Sequence, residues 1–379
     1  MHPMLKPALR RSWRDRGTVQ FGAAPAHAVV VGPVDTASGS FLDLLDGTRA
    51  LPLLRREAGA YGLSPDQVDT LVERLVAAGL VDDPTAGGPE AAALRSRTAA
   101  LERLRPDLAS LSVVHPEPGA AMERLAARRA LRVQVRGAGR VGATVASVLS
   151  AAGVGTVDVL DGGRAEPWDL APGGLDAACL GERRDVAARR AVRHAAPDRP
   201  VRASGTAPGG GPPLSLVVCA PRDGLGAYAP DPAVAEDWLA SGTPHLYAGV
   251  IEGTGVVGPL VLPGVTACAG CLALGRQERE PAWPRMLAQW RSGRAASAVA
   301  PCDVALGTAV AGLAAGHALA LLDGDPPVSA GTRLECVLPS MTWHSVPITA
   351  RGDCGCGAAG NYEGERVAAA RGPQVTMTG

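Results

Sequence analysis

The sequence has almost no lysine and few aromatic residues. Lys6 is the single lysine among 37 basic residues, so the other 36 are arginine, which is typical of coding bias in a GC-rich genome. Aromatic residues make up only 3% of the chain, so a core must be built from Val, Leu and Ala. The formal net charge is zero, which excludes a global attraction to nucleic acid or to an anionic membrane.

A secretion signal is also lacking. Residues 1–17 carry four arginines but no apolar run, so we expect a cytoplasmic protein. The longest apolar stretch, residues 304–322, is rich in Ala and Gly and is bracketed by Asp303 and Asp323. Its length would allow a membrane span, but alanine contributes little to insertion and no Lys or Arg flanks it. We therefore predict a buried core helix and no membrane partner.

The 379 residues are enough for two or three domains, and the first is predicted over residues 1–84. Ser64, Pro65 and Gln67 form an N-cap and capping box before an apolar stripe. A helix starting at Phe41 and a shorter one over residues 51–61 complete a small winged-helix pattern. Four arginines against eight acidic residues in the segment 41–83 argue against DNA binding.

The apolar pattern of this segment resembles a known module. Residues 44–48, 62–63 and 75–80 are similar to the PqqD-like peptide-recognition module of ribosomal peptide biosynthesis. The resemblance implies binding of a leader peptide by strand addition beside the wing. A dimerisation or packing domain is the alternative. Residues 85–130 are predicted to be a linker and helices.

A nucleotide-binding fingerprint opens the next predicted domain, residues 131–357. A strand over residues 131–135 runs into Gly137, Gly139 and Gly142, which have the GxGxxG spacing, and an apolar helix follows. Glycines at this turn let the backbone approach a phosphate at the helix N-terminus. A second strand ends at Asp161, where a carboxylate can accept hydrogen bonds from a ribose. An empty, vestigial fold is the alternative.

The loop after Asp161 and the order of later elements resemble the ThiF/MoeB/HesA superfamily of ubiquitin-activating-enzyme-like adenylyltransferases. The resemblance implies an α/β fold, a Rossmann-like ThiF-type domain with a mixed sheet, preceded here by the winged-helix domain. It also implies ATP and Mg²⁺ as cofactors, a peptide or small carrier protein as substrate and a homodimer. Such proteins adenylate the C-terminal carboxylate of their substrate.

The catalytic set of this superfamily is only partly present. Asp223 lies where the superfamily has its Mg²⁺-associated aspartate, and Asp169 stands for its loop asparagine. The arginine that closely follows the loop asparagine in the superfamily has no counterpart in this sequence. Arg184 occupies the position of the triphosphate lysine, and arginine keeps the charge without the compact contact of lysine. Arg128 or Arg129 is a further candidate cation.

Eight cysteines in a cytoplasmic chain favour metal or catalytic roles over disulfides. The pairs Cys268/Cys271 and Cys354/Cys356 offer four thiolates, which predicts a structural Zn²⁺ site, with a redox CxxC as the alternative. Cys302 stands at the start of the apolar helix, where a helix N-terminus lowers a thiol pKa. It is either a covalent-transfer nucleophile or a small buried residue. The tail, residues 358–379, is predicted to be disordered.

Three functions remain open on these observations. The protein adenylates a peptide or carrier, or it presents a leader-bound precursor to a YcaO-type partner enzyme as a non-catalytic scaffold. The fingerprint alone would also allow an NAD(P)-dependent oxidoreductase.

Overall fold

The computed structural model describes residues 1–198, 212–292 and 299–360, which form two compact units. The first unit is built mainly from Met1–Ala127 and the second begins at Arg128. Of the tail predicted to be disordered, Ala358–Gly360 forms a turn of 3-10 helix, and residues 361–379 lie outside the described residues.

The first unit combines short strands with six helices. Its strands form a two-stranded sheet, β1–β5, and an antiparallel three-stranded sheet in the order β2-β3-β4. The elements in chain order are β1 (Met4–Leu5), β2 (Arg11–Trp13), β3 (Val19–Phe21), β4 (Val29–Val31), α1 (Thr36–Leu42), α2 (Leu51–Ala58), α3 (Pro65–Ala77), β5 (Val81–Asp82), α4 (Pro89–Arg95), α5 (Thr98–Val114) and α6 (Ala120–Arg128).

The capping signals of α3 act as predicted. The Ser64 hydroxyl accepts from the Gln67 N–H at 3.3 Å, and the Gln67 side chain accepts from the Ser64 N–H at 2.8 Å. The prediction for α1 was wrong in its bounds. The Asp35 carboxylate accepts from the Ser38 N–H, so the helix starts at Thr36, five residues before Phe41. The helix ends at Leu42.

The single lysine belongs to this unit and is buried. Its ammonium donates to the Pro116 carbonyl oxygen at 2.9 Å, and burial lowers the pKa of Lys6 although Asp82 and Glu117 oppose the shift. The structure therefore gives Lys6 a packing role.

The second unit is a seven-stranded mixed sheet with helices, and it confirms the predicted α/β class. The strand order is β12-β11-β10-β9-β8-β6-β7, with parallel pairing from β7 to β9 and antiparallel pairing from β9 to β12. Its elements are β6 (Arg132–Arg136), α7 (Arg140–Ala151), β7 (Thr156–Leu160), α8 (Arg184–Ala195), β8 (Leu216–Cys219), α9 (Leu225–Tyr228), α10 (Glu236–Ala240), β9 (His245–Ile251), β10 (Thr254–Val261), α11 (Ala269–Arg279), α12 (Trp283–Arg291), α13 (Val304–Leu322), β11 (Thr332–Val337) and β12 (Thr342–Pro347).

Helix α13 is the long apolar stretch. Within the described residues it is the one helix long and apolar enough to cross a membrane by length and composition. One face of it contacts α7, β9 and β10, and the side chains of Leu306, Val310 and Ala314 are fully buried there. This packing makes α13 a core helix of the sheet, as predicted. The core around it consists largely of Val, Leu and Ala, which replace the missing aromatic residues.

Candidate nucleotide and metal sites

The glycine-rich turn lies between β6 and α7, where the fingerprint predicted it. Gly137 has a φ of +107°, and a Cβ there would lie 2.0 Å from the Ala220 carbonyl oxygen. A Cβ on Gly142 would lie 2.2 Å from the Gly137 carbonyl oxygen. The close packing of turn, helix and β8 therefore requires these glycines, whether or not a phosphate binds.

Asp161 follows β7 and faces this turn. Its carboxylate accepts from the Ala138 N–H at 2.8 Å and from the Gly163 N–H at 2.9 Å. It also forms an ion pair with Arg184, whose Nη2 lies 2.9 Å from Oδ1. Burial would raise the pKa of Asp161, but the hydrogen bonds from Arg184 and the two backbone amides outweigh burial and lower it.

Arg184, the residue at the predicted triphosphate position, is directed at the predicted ribose carboxylate. Besides Asp161, its guanidinium reaches the Arg164 carbonyl oxygen at 2.8 Å and the Asp169 carboxylate at 3.5 Å. A Cβ on Gly163 would lie 2.2 Å from Arg184 Nη2, so the missing side chain there makes room for the guanidinium. The two predicted nucleotide contacts thus neutralise each other.

Arg222 is a second arginine in this loop cluster, and sequence reasoning missed it. Its Nε donates to the Asp169 carboxylate at 2.7 Å, and its Nη2 pairs with Glu166. The guanidinium also lies 5.8 Å from the Trp168 ring centroid. The available signal was its position between β8 and Asp223. Arg222 thus pairs with Asp169, the residue predicted at the position of the loop asparagine.

The other predicted charged residues lie apart from this network. Asp223 is exposed, and its carboxylate accepts from the Leu225 N–H at 3.0 Å, close to the start of α9. Arg128 is buried and paired with Asp323 at 2.6 Å, so it is not available as a replacement cation. Arg129 lies 3.6 Å from Asp198.

A small cavity lies beside the glycine turn. Residues from the turn, from the loops after β7 and β8 and from the segment before α13 line a cavity of about 30 Å³. That volume is on the order of one water molecule. The Arg184 and Arg222 ion pairs engage the Asp161 and Asp169 carboxylates, so both carboxylates already hold cationic partners in the conformation described.

Cys302 lines the same cavity. Its carbonyl oxygen accepts from Arg140 Nη1 at 2.7 Å, and its thiol is half-buried. Burial raises the pKa of the Cys302 thiol, although Arg140 opposes the shift. This direction is opposite to the lowered thiol pKa that the sequence predicted, because burial outweighs the Arg140 charge.

The two cysteine pairs meet in one cluster. The Sγ atoms of Cys268, Cys271, Cys354 and Cys356 all lie within 4.8 Å of one another, and the Cys268–Cys354 and Cys271–Cys356 separations are 3.5 and 3.6 Å. Four sulfurs at about 2.3 Å from a tetrahedral Zn²⁺ would be separated by roughly 3.8 Å. The one-residue spacer of the second pair therefore still permits a tetrahedral set.

The surroundings of the cluster also fit a metal. Gly270 lies in the first turn of α11, and a Cβ there would lie 3.0 Å from Cys354 Sγ, so a larger residue would crowd the cluster. Burial raises the pKa of Cys268 and raises that of Cys271 to about 11, so a cation is needed to hold these thiols as thiolates. The three isolated cysteines, Cys179, Cys219 and Cys336, are buried as predicted.

Comparison with known proteins gives one family. The model of the ThiF family matches residues 117–358, which is more than half of the chain. A search of curated proteins found no match.

Several solved structures share the fold. E. coli MccB with AMPCPP and MccA is 14% identical, with a TM-score of 0.67, and the alignment covers 94% of this chain and all of that one. E. coli MccB with ATP is also 14% identical, with a TM-score of 0.66 over 94% of this chain and 99% of that one. The heterocyclase TruD is 15% identical, with a TM-score of 0.60, and the match covers 94% of this chain and 43% of TruD.

Proposed function

Because the chain belongs to the ThiF family, we propose that it binds a peptide with its first unit and presents that peptide to a modifying enzyme, without adenylating it. The observation that carries the proposal is that the predicted nucleotide contacts pair with one another or with neighbouring side chains. Arg184 pairs with Asp161, and Arg222 pairs with Asp169. Because these contacts are satisfied within the chain, the role we propose for the ThiF domain is presentation of the peptide.

The free edge of β4 is the proposed peptide site. The Arg10 carbonyl oxygen accepts from the Gly22 N–H, and hydrogen-bonded pairs alternate along an antiparallel ladder. The backbone of Gln20 therefore bonds to β2, whereas the backbones of Val19 and Phe21 face β4. On β4, Val29 and Val31 are the hydrogen-bonded partners of these two residues, and Val30 is not hydrogen-bonded to β3. The amide and carbonyl of Val30 therefore point away from β3. They offer one donor and one acceptor to an added strand.

Two relatives support a peptide-processing context. MccB has been solved with MccA, and TruD is a heterocyclase that contains a region similar to this chain. By analogy, we propose a YcaO-type enzyme as the partner that receives the peptide, and a cytoplasmic homodimer as the working form.

Nucleotide chemistry tests the first part of the proposal. We expect no ATP–pyrophosphate exchange by the full chain, with or without peptide, and no heat of Mg-ATP binding in calorimetric titration. Arg184→Lys, which restores the residue type of the superfamily, is the variant in which nucleotide binding should first appear. Exchange by the unaltered protein that Asp223→Ala abolishes would contradict the presenting role.

Adenylation is the second candidate, and the intact turn supports it. Gly137, Gly139 and Gly142 lie at the start of α7, and the Asp223 carboxylate is exposed. For this function, Arg184 would have to exchange Asp161 for a phosphate. The exchange experiment separates the two candidates.

Peptide binding is tested at β4. Peptides selected from a phage-displayed library on the full chain should lose binding to the variant Val30→Pro, because proline removes the free-edge N–H without removing a ladder hydrogen bond. Arg11→Pro on the opposite edge strand, β2, is the matched control. Equal loss in both variants, or no loss in Val30→Pro, would contradict strand addition at β4.

A further inference from the structure

Two buried arginines stack on one tyrosine in the second unit. The guanidinium carbon of Arg276 lies 4.0 Å from the Tyr228 ring centroid and 4.7 Å from that of Trp283. The guanidinium carbon of Arg333 lies 4.6 Å from the same Tyr228 ring. Arg276 is 7% exposed and Arg333 is 4% exposed, so both side chains are largely removed from water.

Only one of the two arginines has an anionic partner in the described part of the chain. Arg333 pairs with Glu335 and donates to the Tyr228 carbonyl oxygen at 3.0 Å. Arg276 Nη1 is buried and has no hydrogen-bond partner among the described residues. Glu335 attracts Arg276 electrostatically but forms no ion pair with it among the described residues, and Arg333 and Arg279 repel it.

An unpaired buried cation is costly. Burial first and the neighbouring Arg333 second lower the pKa of Arg276 to about 10, which still leaves it charged at neutral pH. The two aromatic rings offset part of the desolvation through cation–π contacts, but they do not satisfy the buried N–H groups. The arrangement lacks one negative charge with acceptor oxygens.

We propose that Arg276, with Tyr228 and Trp283 as its walls, binds the carboxylate side chain of an acidic residue in a peptide partner. One guanidinium without a partner matches one monoanion, since Glu335 already neutralises Arg333. This inference rests on the peptide-presenting role proposed above and assigns the class of residue that a peptide bound at the second unit must carry.

Helix α12 supports a peptide as the source of the carboxylate. None of its residues is buried, Trp290 is 46% exposed, and the rings of Trp283 and Trp290 lie 5.5 Å apart. These rings give an apolar surface next to the Arg276 cation. Such a surface suits an acidic residue flanked by apolar residues better than a hydrated free ion.

The test uses the full chain labelled with ¹⁵N at its tryptophan indoles. The probes are acetyl-Leu-Glu-Leu-amide, acetyl-Leu-Gln-Leu-amide and inorganic phosphate, and the Trp283 signal is identified by its loss in Trp283→Phe. We expect a saturable shift of the Trp283 signal with the glutamate peptide and at least tenfold weaker binding of the glutamine peptide. Equal binding of the two peptides, tighter binding of phosphate, or no saturation with any probe would overturn the proposal.

Two variants test whether Arg276 is the cation that binds the carboxylate. Arg276→Met should abolish binding of the glutamate peptide, whereas Arg279→Met, which removes an exposed charge from the same helix, should keep it. Removing an unpaired buried cation should not lower the melting temperature. If Arg276→Met does not fold, the comparison of the glutamate and glutamine peptides on the unaltered protein still shows whether a carboxylate is required for binding. Val30→Pro should leave this binding unchanged, so failure here and failure of strand addition at β4 are distinguishable.

Discussion

At the scale of single residues, the residue type at position 184 determines the contacts made in the predicted nucleotide site. A lysine at position 184 would make a compact contact, but the arginine there reaches Asp161, Asp169 and the Arg164 carbonyl together. The near-absence of lysine from the chain therefore extends to a position where the choice of arginine changes the contacts of the site. The single lysine, Lys6, packs in the first unit instead.

The Asp161–Arg184 pair predicts a pH dependence of stability. The folded-state pKa of Asp161 is below its ordinary value of 3.8, so its contribution is fully present above the unfolded-state pKa. The contribution disappears as the pH falls through the lowered folded-state pKa. In urea unfolding between pH 5 and pH 2, the unaltered protein should lose unfolding free energy more steeply than Asp161→Asn. Parallel curves for the two proteins would contradict the lowered pKa.

At the scale of elements, the strand–turn–helix unit of β6 and α7 is locally specified. The GxGxxG spacing predicted the turn, and the structure shows that two of these glycines prevent backbone clashes with Ala220 and Gly137. The same holds at α3, where three adjacent signals placed the start of the helix. Such signals act over four to six residues, so they can be recognised without knowing the fold.

Gly142→Ala tests whether packing alone explains the glycine. The added Cβ would lie 2.2 Å from the Gly137 carbonyl oxygen, so we expect a loss of about 1–3 kcal/mol in unfolding free energy, as for overpacked cores. Gly162→Ala is the matched control, because nothing lies within 4 Å of a Cβ there, and its change should stay within about 0.5 kcal/mol. Urea denaturation of both variants, without nucleotide, gives the comparison. If Gly142→Ala left the unfolding free energy unchanged, the glycine would be needed for ligand binding only.

At the scale of the whole molecule, the cysteine cluster joins distant parts of the second unit. It ties the start of α11 to the segment after β12, and the contacting pairs are 86 and 85 residues apart in sequence. Because α11 also carries Arg276, a metal there would fix the helix that holds the proposed carboxylate site. A closed four-sulfur site has a structural role.

Metal analysis of the purified chain should therefore give about one zinc per molecule, as expected for a single Cys₄ site. Cys268→Ser should lose the zinc and melt at a lower temperature, because metal binding is coupled to folding. Cys302→Ser, which removes a thiol outside the cluster, should retain the zinc. Full zinc content in Cys268→Ser would show that the cluster does not hold the metal.

The sequence by itself determined the α/β class, the glycine turn, the helix cap of α3, the core helix α13 and the cysteines that could share a metal. The turn, the cap and the core helix depend on periodicity or on residues close in the chain, which the sequence displays directly. The α/β class also rests on the family resemblance, and the sequence displays each cysteine pair but not the contact between pairs that are 85 and 86 residues apart. Only the tertiary structure decided what the charged residues of the site do. Arg222 and Asp169 are 53 residues apart and Arg184 and Asp161 are 23 apart, and their pairing depends on how the ends of neighbouring strands meet. The same reason applies to Arg276, since its lack of a partner follows from the elements packed around it.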